Sequence, residues 1–315
     1  MNIEAIDRVI TKIKREFGDE ILTILNDPLT IEIMLNPDGK LWVEKLGQDA
    51  YCFGDFLEAK AKSIITSVAT LLDTVANTDN PILECELPLD GSRFEALLPP
   101  VVSSPTFTIR KKASKIFTLD DYVNAGTITP QQNEIIVRAI AERQNILVVG
   151  GTQTGKTTFS NAILDGIAKI SPDHRLIIIE DTAELQCNSK NKVFLRSTKD
   201  VSMLTLLKAT MRLRPDRIVV GETRGKEALD LLKAWNTGHP GGIATVHANS
   251  AKGGLTRLEQ LISEVSSTSM AELIAEAVNL IIFIKKTNNG RKVEEIAEVK
   301  GFDKVNLEYL INQVL

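Results

Sequence analysis

Hydrophobic positions in the first third of this chain change period several times. Ile3, Ile6, Ile10, Ile13 and Phe17 recur every three or four residues, which predicts a helix with one apolar stripe. A core-facing helix is the simpler reading. Lys12, Lys14 and Arg15 beside the stripe leave an anchor on a membrane surface or a partner as the alternative. "LTIEIMLNPDGKLWVEKLG" then reads as strand, turn, strand about Asn36-Pro37-Asp38-Gly39. A helical stretch covers residues 57–76. "ILECELPLDGSRFEALLPP" reads as a second hairpin turning at Asp90-Gly91, and "PTFTIRKK" as a closing strand. Residues 1–112 are therefore expected to form a small α+β domain. Residues 113–129, "ASKIFTLDDYVNAGTIT", read as a linker carrying a short helix opened by Thr118.

From residue 130 the pattern becomes an alternation of amphipathic helices with short, continuously apolar runs. "PQQNEIIVRAIAERQ" leads into "NILVVG", "TTFSNAILDGIAKI" into "RLIIIE", "MLTLLKATMRL" into "RIVVG", and "KEALDLLKAWNTG" into "GIATV". Strands apolar on both faces, separated by helices, predict an α/β domain over residues 130–315 whose parallel sheet is covered on both sides.

Composition narrows the class. The 315 residues are 43% hydrophobic and 25% charged, enough to bury full cores, and the length suggests about two domains. A formal net charge of -4 argues against coating nucleic acid through charge alone, although a local basic patch stays open. Cys52, Cys85 and Cys187 are odd in number and widely spaced, which fits a reducing compartment and no cysteine zinc site. The segment "MNIEAIDRVITKIKREFG" has no apolar block and does not read as a secretory signal. No run approaches 18 apolar residues, so no membrane span is expected; contact with a membrane surface stays open.

The chemistry begins at "LVVGGTQTGKTTF". Gly150, Gly155, Lys156 and Thr157 fit the phosphate-loop pattern G-x-x-x-x-G-K-[ST], with Gly151, Thr152, Gln153 and Thr154 inside the loop and Thr158 after it. Such a pattern arises by chance on the order of once in a hundred chains of this length, so context must decide. The motif lies between an apolar strand and an amphipathic helix, where backbone N–H groups and a helix N-terminus can face phosphates. In that setting Lys156 is expected to bridge the β- and γ-phosphates of ATP, and the Thr157 hydroxyl to ligate Mg²⁺. A ligand-free glycine turn would not account for Lys156 followed by Thr157-Thr158. Gln153 stands where a small residue would be the easier choice.

Two apolar strands end in carboxylates. "RLIIIEDTAEL" ends at Glu180-Asp181, with Glu184 one helical turn on, and "RIVVGE" ends at Gly221-Glu222. One carboxylate is expected to orient the attacking water, while Glu180 or Glu222 tunes the magnesium shell, through water. Which of the two is the base stays open, since carboxylates at strand ends are also common solvated turn residues. A further strand, "GHPGGIATVHANSA", carries His239 and His247. His247 follows the strand and precedes a helix start, a position from which a side chain can sense a γ-phosphate; a structural histidine is the plainer alternative, more so for His239.

The ordered segments "GGTQTGKTT", "LIIIEDTAEL", "RLRPDRIVVGETRGKEA" and "GHPGGIATVHANSA" resemble the Walker A loop, Asp box, Walker B and His box of the type II/type IV secretion traffic ATPase family. "LTIEIMLNPDGKLWVEKLG" and "DGSRFEALLPP" resemble its conjugative-transfer branch, so the likeness covers nearly the whole chain. Gln153 departs from the family's small residue. The cysteine-rich zinc module of some pilus and type II secretion relatives has no counterpart here.

The resemblance implies a RecA-like domain and a homohexameric ring on the cytoplasmic face of the inner membrane, working with secretion-channel components. It also implies arginines from the first domain at the γ-phosphate, here Arg93 and Arg110. Such fingers are worth about 10³–10⁵ in rate in other NTPases; isolated strand arginines are otherwise solvated rim residues. Arg212, Arg214 and Arg224 are candidates for interface roles or for simple ion pairing. The expected activity is ATP hydrolysis driving pilus assembly or substrate transfer in conjugation. A pilus extension or retraction motor, a DNA-translocating ring, and an ATP-gated scaffold without steady turnover remain alternatives.

Overall fold

A computed structural model describes residues 3–46, 48–112, 116–198, 200–287 and 290–314. The chain divides into two compact units, Met1–Lys115 and Ile116–Leu315.

The first unit comprises α1 (Ile3–Asn26), β1 (Thr30–Leu35), β2 (Lys40–Lys45), β3 (Tyr51–Asp55), α2 (Glu58–Leu71), β4 (Ile82–Glu86), β5 (Arg93–Leu97) and β6 (Thr106–Arg110). Its strands form one antiparallel sheet in the order β3-β2-β1-β6-β5-β4. Both expected hairpin turns form, with Gly39 and Gly91 at positive φ. Asp38 and Asp90 each accept a backbone N–H two residues on. Strand period two sends Ile33, Val43, Phe94, Phe107 and Ile109 into a core shared with Ile13, Phe17, Ile21 and Ile24 of α1 and Ile64, Ile65 and Val68 of α2. The predicted stripe on α1 is thus buried at Ile13 and Phe17 but only half-buried at Ile6 and Ile10; the side chain of Ile3 lies outside the described residues. The helix bends at Gly18, whose φ is 77° and ψ 161°. Helix α2 stops five residues short of the expected end, where Asp73 turns to positive φ. Strand β3 has no sequence signal, because four of its five residues are exposed and nothing alternates.

The second unit comprises α3 (Leu119–Asn124), α4 (Pro130–Ala141), β7 (Ile146–Gly150), α5 (Lys156–Ile170), β8 (Leu176–Glu180), β9 (Lys192–Arg196), α6 (Met203–Thr210), β10 (Arg217–Val220), α7 (Glu227–Asn236), β11 (Ile243–His247), α8 (Ala251–Ser263), α9 (Ala271–Ala277), β12 (Leu280–Thr287), β13 (Gly290–Asp303) and β14 (Glu308–Gln313). Its eight strands run β14-β13-β12-β7-β11-β10-β8-β9. The run from β12 to β9 is parallel, whereas β13 and β14 pair antiparallel. The expected parallel sheet is therefore a mixed sheet: β12 and β13 are joined as a hairpin, which forces antiparallel pairing. Leu147 and Val149 face a core with Trp235 and Leu255, and Ile146 and Val148 face a second core with Ile136, Phe159 and Ile163, so both sheet faces are covered.

Residues 116–129, read from sequence as linker, belong to this unit. Thr118 opens α3 in a reciprocal capping box with Asp121. Leu119 is buried in the second core. The ring of Tyr122 meets that of Phe159 edge-on, with centroids 4.9 Å apart. The carbonyl of Thr127 accepts from the N–H of Val293 at 2.9 Å.

Candidate nucleotide site

Strand order decides which residues meet. The neighbours β7, β11, β10 and β8 are parallel, so their C-terminal ends share one edge of the sheet. The glycine-rich loop leaves β7, His247 ends β11, Glu222 follows β10, and Glu180 ends β8. The four motifs, spread over about a hundred residues, stand in a row there. Ligands of open α/β sheets bind at this edge.

The loop is shaped by backbone constraints. A Cβ on Gly150 would lie 2.4 Å from the carbonyl oxygen of Ile284 and 2.6 Å from Oγ1 of Thr154. Thr154 is buried and donates to the carbonyl of Gly151 at 3.0 Å. Gln153 and Gly155 take φ of 59° and 91°, the left-handed region, which a glutamine enters only at a cost. Thr152 and Gln153 are exposed, while Gly151, Thr157 and Thr158 are half-buried. Helix α5 starts at Lys156 with no side-chain cap, so no side chain closes its first N–H groups. Such an end, with a buried lysine beside it, suits an anion.

Lys156 is 7% exposed. Its Nζ donates to the carbonyls of Gly150 (3.0 Å) and Gly151 (2.8 Å) and lies 3.2 Å from Nδ1 of His247. Nε2 of His247 lies 2.8 Å from Oε1 of Glu222. Oε2 of Glu222 accepts from Nη2 of Arg224 at 2.7 Å, and Nη1 of Arg224 pairs with Asp181. One polar chain thus joins the loop to the ends of β11, β10 and β8. Its charges set its protonation. Burial and the neighbouring Lys156 ammonium hold His247 below the usual histidine range. Burial alone would push Glu222 up; the hydrogen bond from Arg224, with the charges of Arg224, His247 and Lys156, brings it below the ordinary carboxylate range. Imidazole is therefore neutral and Glu222 anionic at pH 7.

Glu180 is built differently. It is 3% exposed, and its Oε2 accepts the backbone N–H groups of Glu184 (3.0 Å) and Leu185 (2.9 Å). Burial raises its pKa. Asn161 of α5, also buried, accepts from the N–H of Gln186 at 2.8 Å and so ties this loop to the helix that starts at Lys156. Gly221 lets the ends of β8 and β10 approach: a Cβ there would lie 3.1 Å from Cβ of Glu180. Glu227 fixes the following turn by accepting the N–H groups of Arg224 and Gly225.

His239 lies 3.0 Å from the carbonyl of Pro215 through Nδ1, apart from the chain of polar groups among the described residues. Arg212 and Arg214 are exposed, whereas Arg224 makes ion pairs with both Glu222 and Asp181. Arg93 and Arg110 lie in the first unit as direct cross-strand partners on β5 and β6, opposite the core face, with Arg93 donating to Glu84 at 3.0 Å. Sequence reading passed over the partnership of Asp181 with Arg224, the tether at Asn161, and Arg291 of β13, whose side chain lies against Gly155. Asp181 and Asn161 sit next to motif residues and could have been flagged; Arg291 carries no local signal.

Fold and site together define an α/β protein with a phosphate-loop sequence and a carboxylate–histidine pair aligned at the C-terminal edge of its parallel strands. Residues 16–304 match the family model described as "Type II/IV secretion system protein", and the chain belongs to that family. It is 50% identical to the probable conjugal transfer protein TrbB of Sinorhizobium fredii over 94% of this chain and 91% of that protein. It is 31% identical to the type IV secretion system protein VirB11 of Bartonella henselae, over 93% of each. The X-ray structure of the Legionella pneumophila ATPase DotB shares the fold with a TM-score of 0.64 at 19% identity, over 92% of this chain and 81% of that one. Among the described residues no helix is long and apolar enough to cross a membrane.

Proposed function

We propose that this chain is the ATP-hydrolysing motor of a conjugative type IV secretion system, with a RecA-like second unit. The observation that supports it most is the unbroken polar chain Lys156–His247–Glu222 beside an uncapped helix start. Its ends are the two groups a nucleotide hydrolase needs, a phosphate-binding cation and a water-orienting carboxylate.

The residues fit ATP and Mg²⁺: the loop holds a buried cation and open helix-start amides, and the Thr157 hydroxyl sits in the first turn of α5. When bound, Mg²⁺ supplies charge neutralisation of the phosphates. Lys156 exchanges the carbonyls of Gly150 and Gly151 for phosphate oxygens. That movement takes its ammonium from Nδ1 of His247, so the imidazole reports whether the γ-position is filled. Glu222, anionic and gripped by Arg224, orients the attacking water. We assign Glu180 to holding the 180–186 loop through its two N–H bonds, with Glu222 as the catalytic carboxylate. Gly150 to Thr158 cradle the nucleotide. Arg93 and Arg110 complete the charge stabilisation.

The motor works as a homohexamer, peripheral at the cytoplasmic face of the inner membrane, against secretion-channel components. It powers pilus assembly or substrate transfer by domain closure. The test is phosphate release from purified protein with Mg-ATP: Lys156→Ala should abolish turnover and nucleotide binding, and Glu222→Gln should abolish turnover while binding persists. Wild-type turnover in Lys156→Ala would remove the loop from the mechanism. No turnover in the wild type, with binding intact, would favour the gating scaffold.

A further inference from the structure

Arg291, near the start of β13, lies 135 residues beyond the loop but packs directly on it. A Cβ built on Gly155 would meet Cδ of Arg291 at 2.8 Å, Nε at 3.0 Å and Cζ at 4.0 Å. The guanidinium stem therefore fills the space that a side chain at position 155 would need, one residue before Lys156. Nε of Arg291 is buried and has no hydrogen-bond partner among the described residues. No ion pair with a carboxylate forms there either among the described residues, while the nearby exposed Lys285 is matched to Glu294 on the same hairpin. An arginine can shed neither its charge nor its donors. A buried N–H left without an acceptor is costly, and such a group calls for an explanation, here an acceptor that arrives with a ligand.

The strand segment that carries Arg291 is tied to its neighbours. The N–H of Val293, two residues on, donates to Thr127. The Val293 carbonyl accepts from Gln132 of α4 at 3.5 Å. Tyr122 of α3, packed edge-on against Phe159 of α5, lies close enough for the Arg291 charge to act on its hydroxyl. The segment before α4 and the β12–β13 hairpin thus jointly bring one cation against the loop at Gly155, the residue before Lys156.

We propose that Arg291 is a second phosphate-binding cation of this site, donating to the phosphate chain of a bound nucleotide. The proposal rests on the nucleotide reading above. It assigns the ligand chemistry to the phosphates, which all nucleoside di- and triphosphates and inorganic triphosphate share, and not to the base.

The test is equilibrium binding of ATP, ADP and inorganic triphosphate to the full chain, with melting curves recorded with and without each ligand. Arg291→Gln should weaken all three by about tenfold or more, as expected for loss of a charge-assisted hydrogen bond, and should shrink the ligand-induced melting shift. The melting temperature without ligand should not fall, because the lost group had no partner. Arg291→Lys should restore part of the affinity. Lys156→Ala is the control: loss of binding there with unchanged affinity in Arg291→Gln sustains the nucleotide reading and overturns this one. Weakening of ATP and ADP with no change in triphosphate affinity would place Arg291 on the base and also overturn it. A fall in ligand-free stability with unaltered affinity would mark Arg291 as mere packing for Gly155. A wild type that binds none of the three ligands would overturn both readings.

Discussion

Nζ of Lys156 stands 3.2 Å from Nδ1 of His247, and that contact fixes the state of the imidazole. An ammonium can only donate, so Nδ1 accepts. The ring proton then lies on Nε2, donated to Glu222 at 2.8 Å. Protonating the ring would turn an N–H toward the ammonium. Burial and this same charge hold the pKa below 6.5.

A pH dependence follows with a definite sign. Held below the ordinary histidine range, His247 is neutral at pH 7, so turnover should be level near neutrality and fall in more acid solution. The unfolded chain binds this proton more tightly than the native one. His247 therefore destabilises the fold as pH drops below the unfolded value, levelling off below the native pKa. In His247→Gln the acid limb should move down toward the range of Glu222, itself held below 4.5, with a lower plateau rate. Phosphate release from both proteins across the acid range is the measurement. An acid limb unmoved by the substitution would mean that another group controls it.

The two strand-end carboxylates should separate cleanly by mutation. Glu180→Gln keeps an oxygen for the N–H groups of Glu184 and Leu185, so fold and most of the turnover should survive. Glu180→Ala leaves a buried N–H without a partner and should cost about 1–3 kcal/mol, a melting shift of several degrees. Glu222→Gln should leave melting nearly unchanged and remove turnover. If Glu180→Gln removes turnover while Glu222→Gln spares it, the roles are reversed.

Gln153 gives a third test. Its φ of 59° makes glycine the natural occupant. Gln153→Gly relieves about 1 kcal/mol of left-handed strain but frees the unfolded chain by roughly 0.4–1 kcal/mol. Stability should therefore stay within about 1 kcal/mol by these same terms, and turnover should hold or rise. Gln153→Val, with a branched side chain forced to positive φ, should lose about 1–3 kcal/mol. Loss of nucleotide affinity in the glycine variant would reveal a contact made by the amide of Gln153 itself.

What could be read from sequence was what lies within one strand–loop–helix step. Lys156, Glu222 and His247 each follow an apolar run, and a run of that kind dictates a parallel strand whose end carries the next residue to the same edge. Strands β3 and β9 escaped because β3 is exposed at four of its five residues and β9 alternates only between exposed and half-buried, so neither has a continuous apolar run. The antiparallel pair β13 and β14 escaped with them, and with it Arg291. Arg217 shows a further limit. It reads as a polar residue opening a strand, yet it is fully buried, donating to the carbonyls of Gly241 and Ile140, to Ser171, and to His174. Nothing local in the sequence tells a guanidinium that ties four segments together from one in water.

The last test concerns Arg93 and Arg110. Directly opposed on β5 and β6, they place two positive charges side by side, an arrangement that costs stability in a sheet. Glu84 beside Arg93, and Glu32 opposite Arg110 on β1, offset part of it. Replacing either arginine with Ala should therefore leave the melting temperature unchanged or slightly higher, because a like-charge neighbour goes with the lost ion pair. If the pair acts on charge developing at the γ-phosphate, the same variants should lower kcat far more than ATP affinity. Lys should rescue poorly, since a point charge cannot reproduce the planar fork. Rim residues would change turnover by less than about twofold, as exposed charges worth under roughly 1 kcal/mol do. Mixing then probes the ring. Glu222→Gln subunits, binding but not hydrolysing ATP, should depress wild-type activity more steeply than their fraction in the mixture. A strictly proportional fall in rings that have exchanged subunits would mean independent sites, leaving an ATPase whose subunits do not take turns.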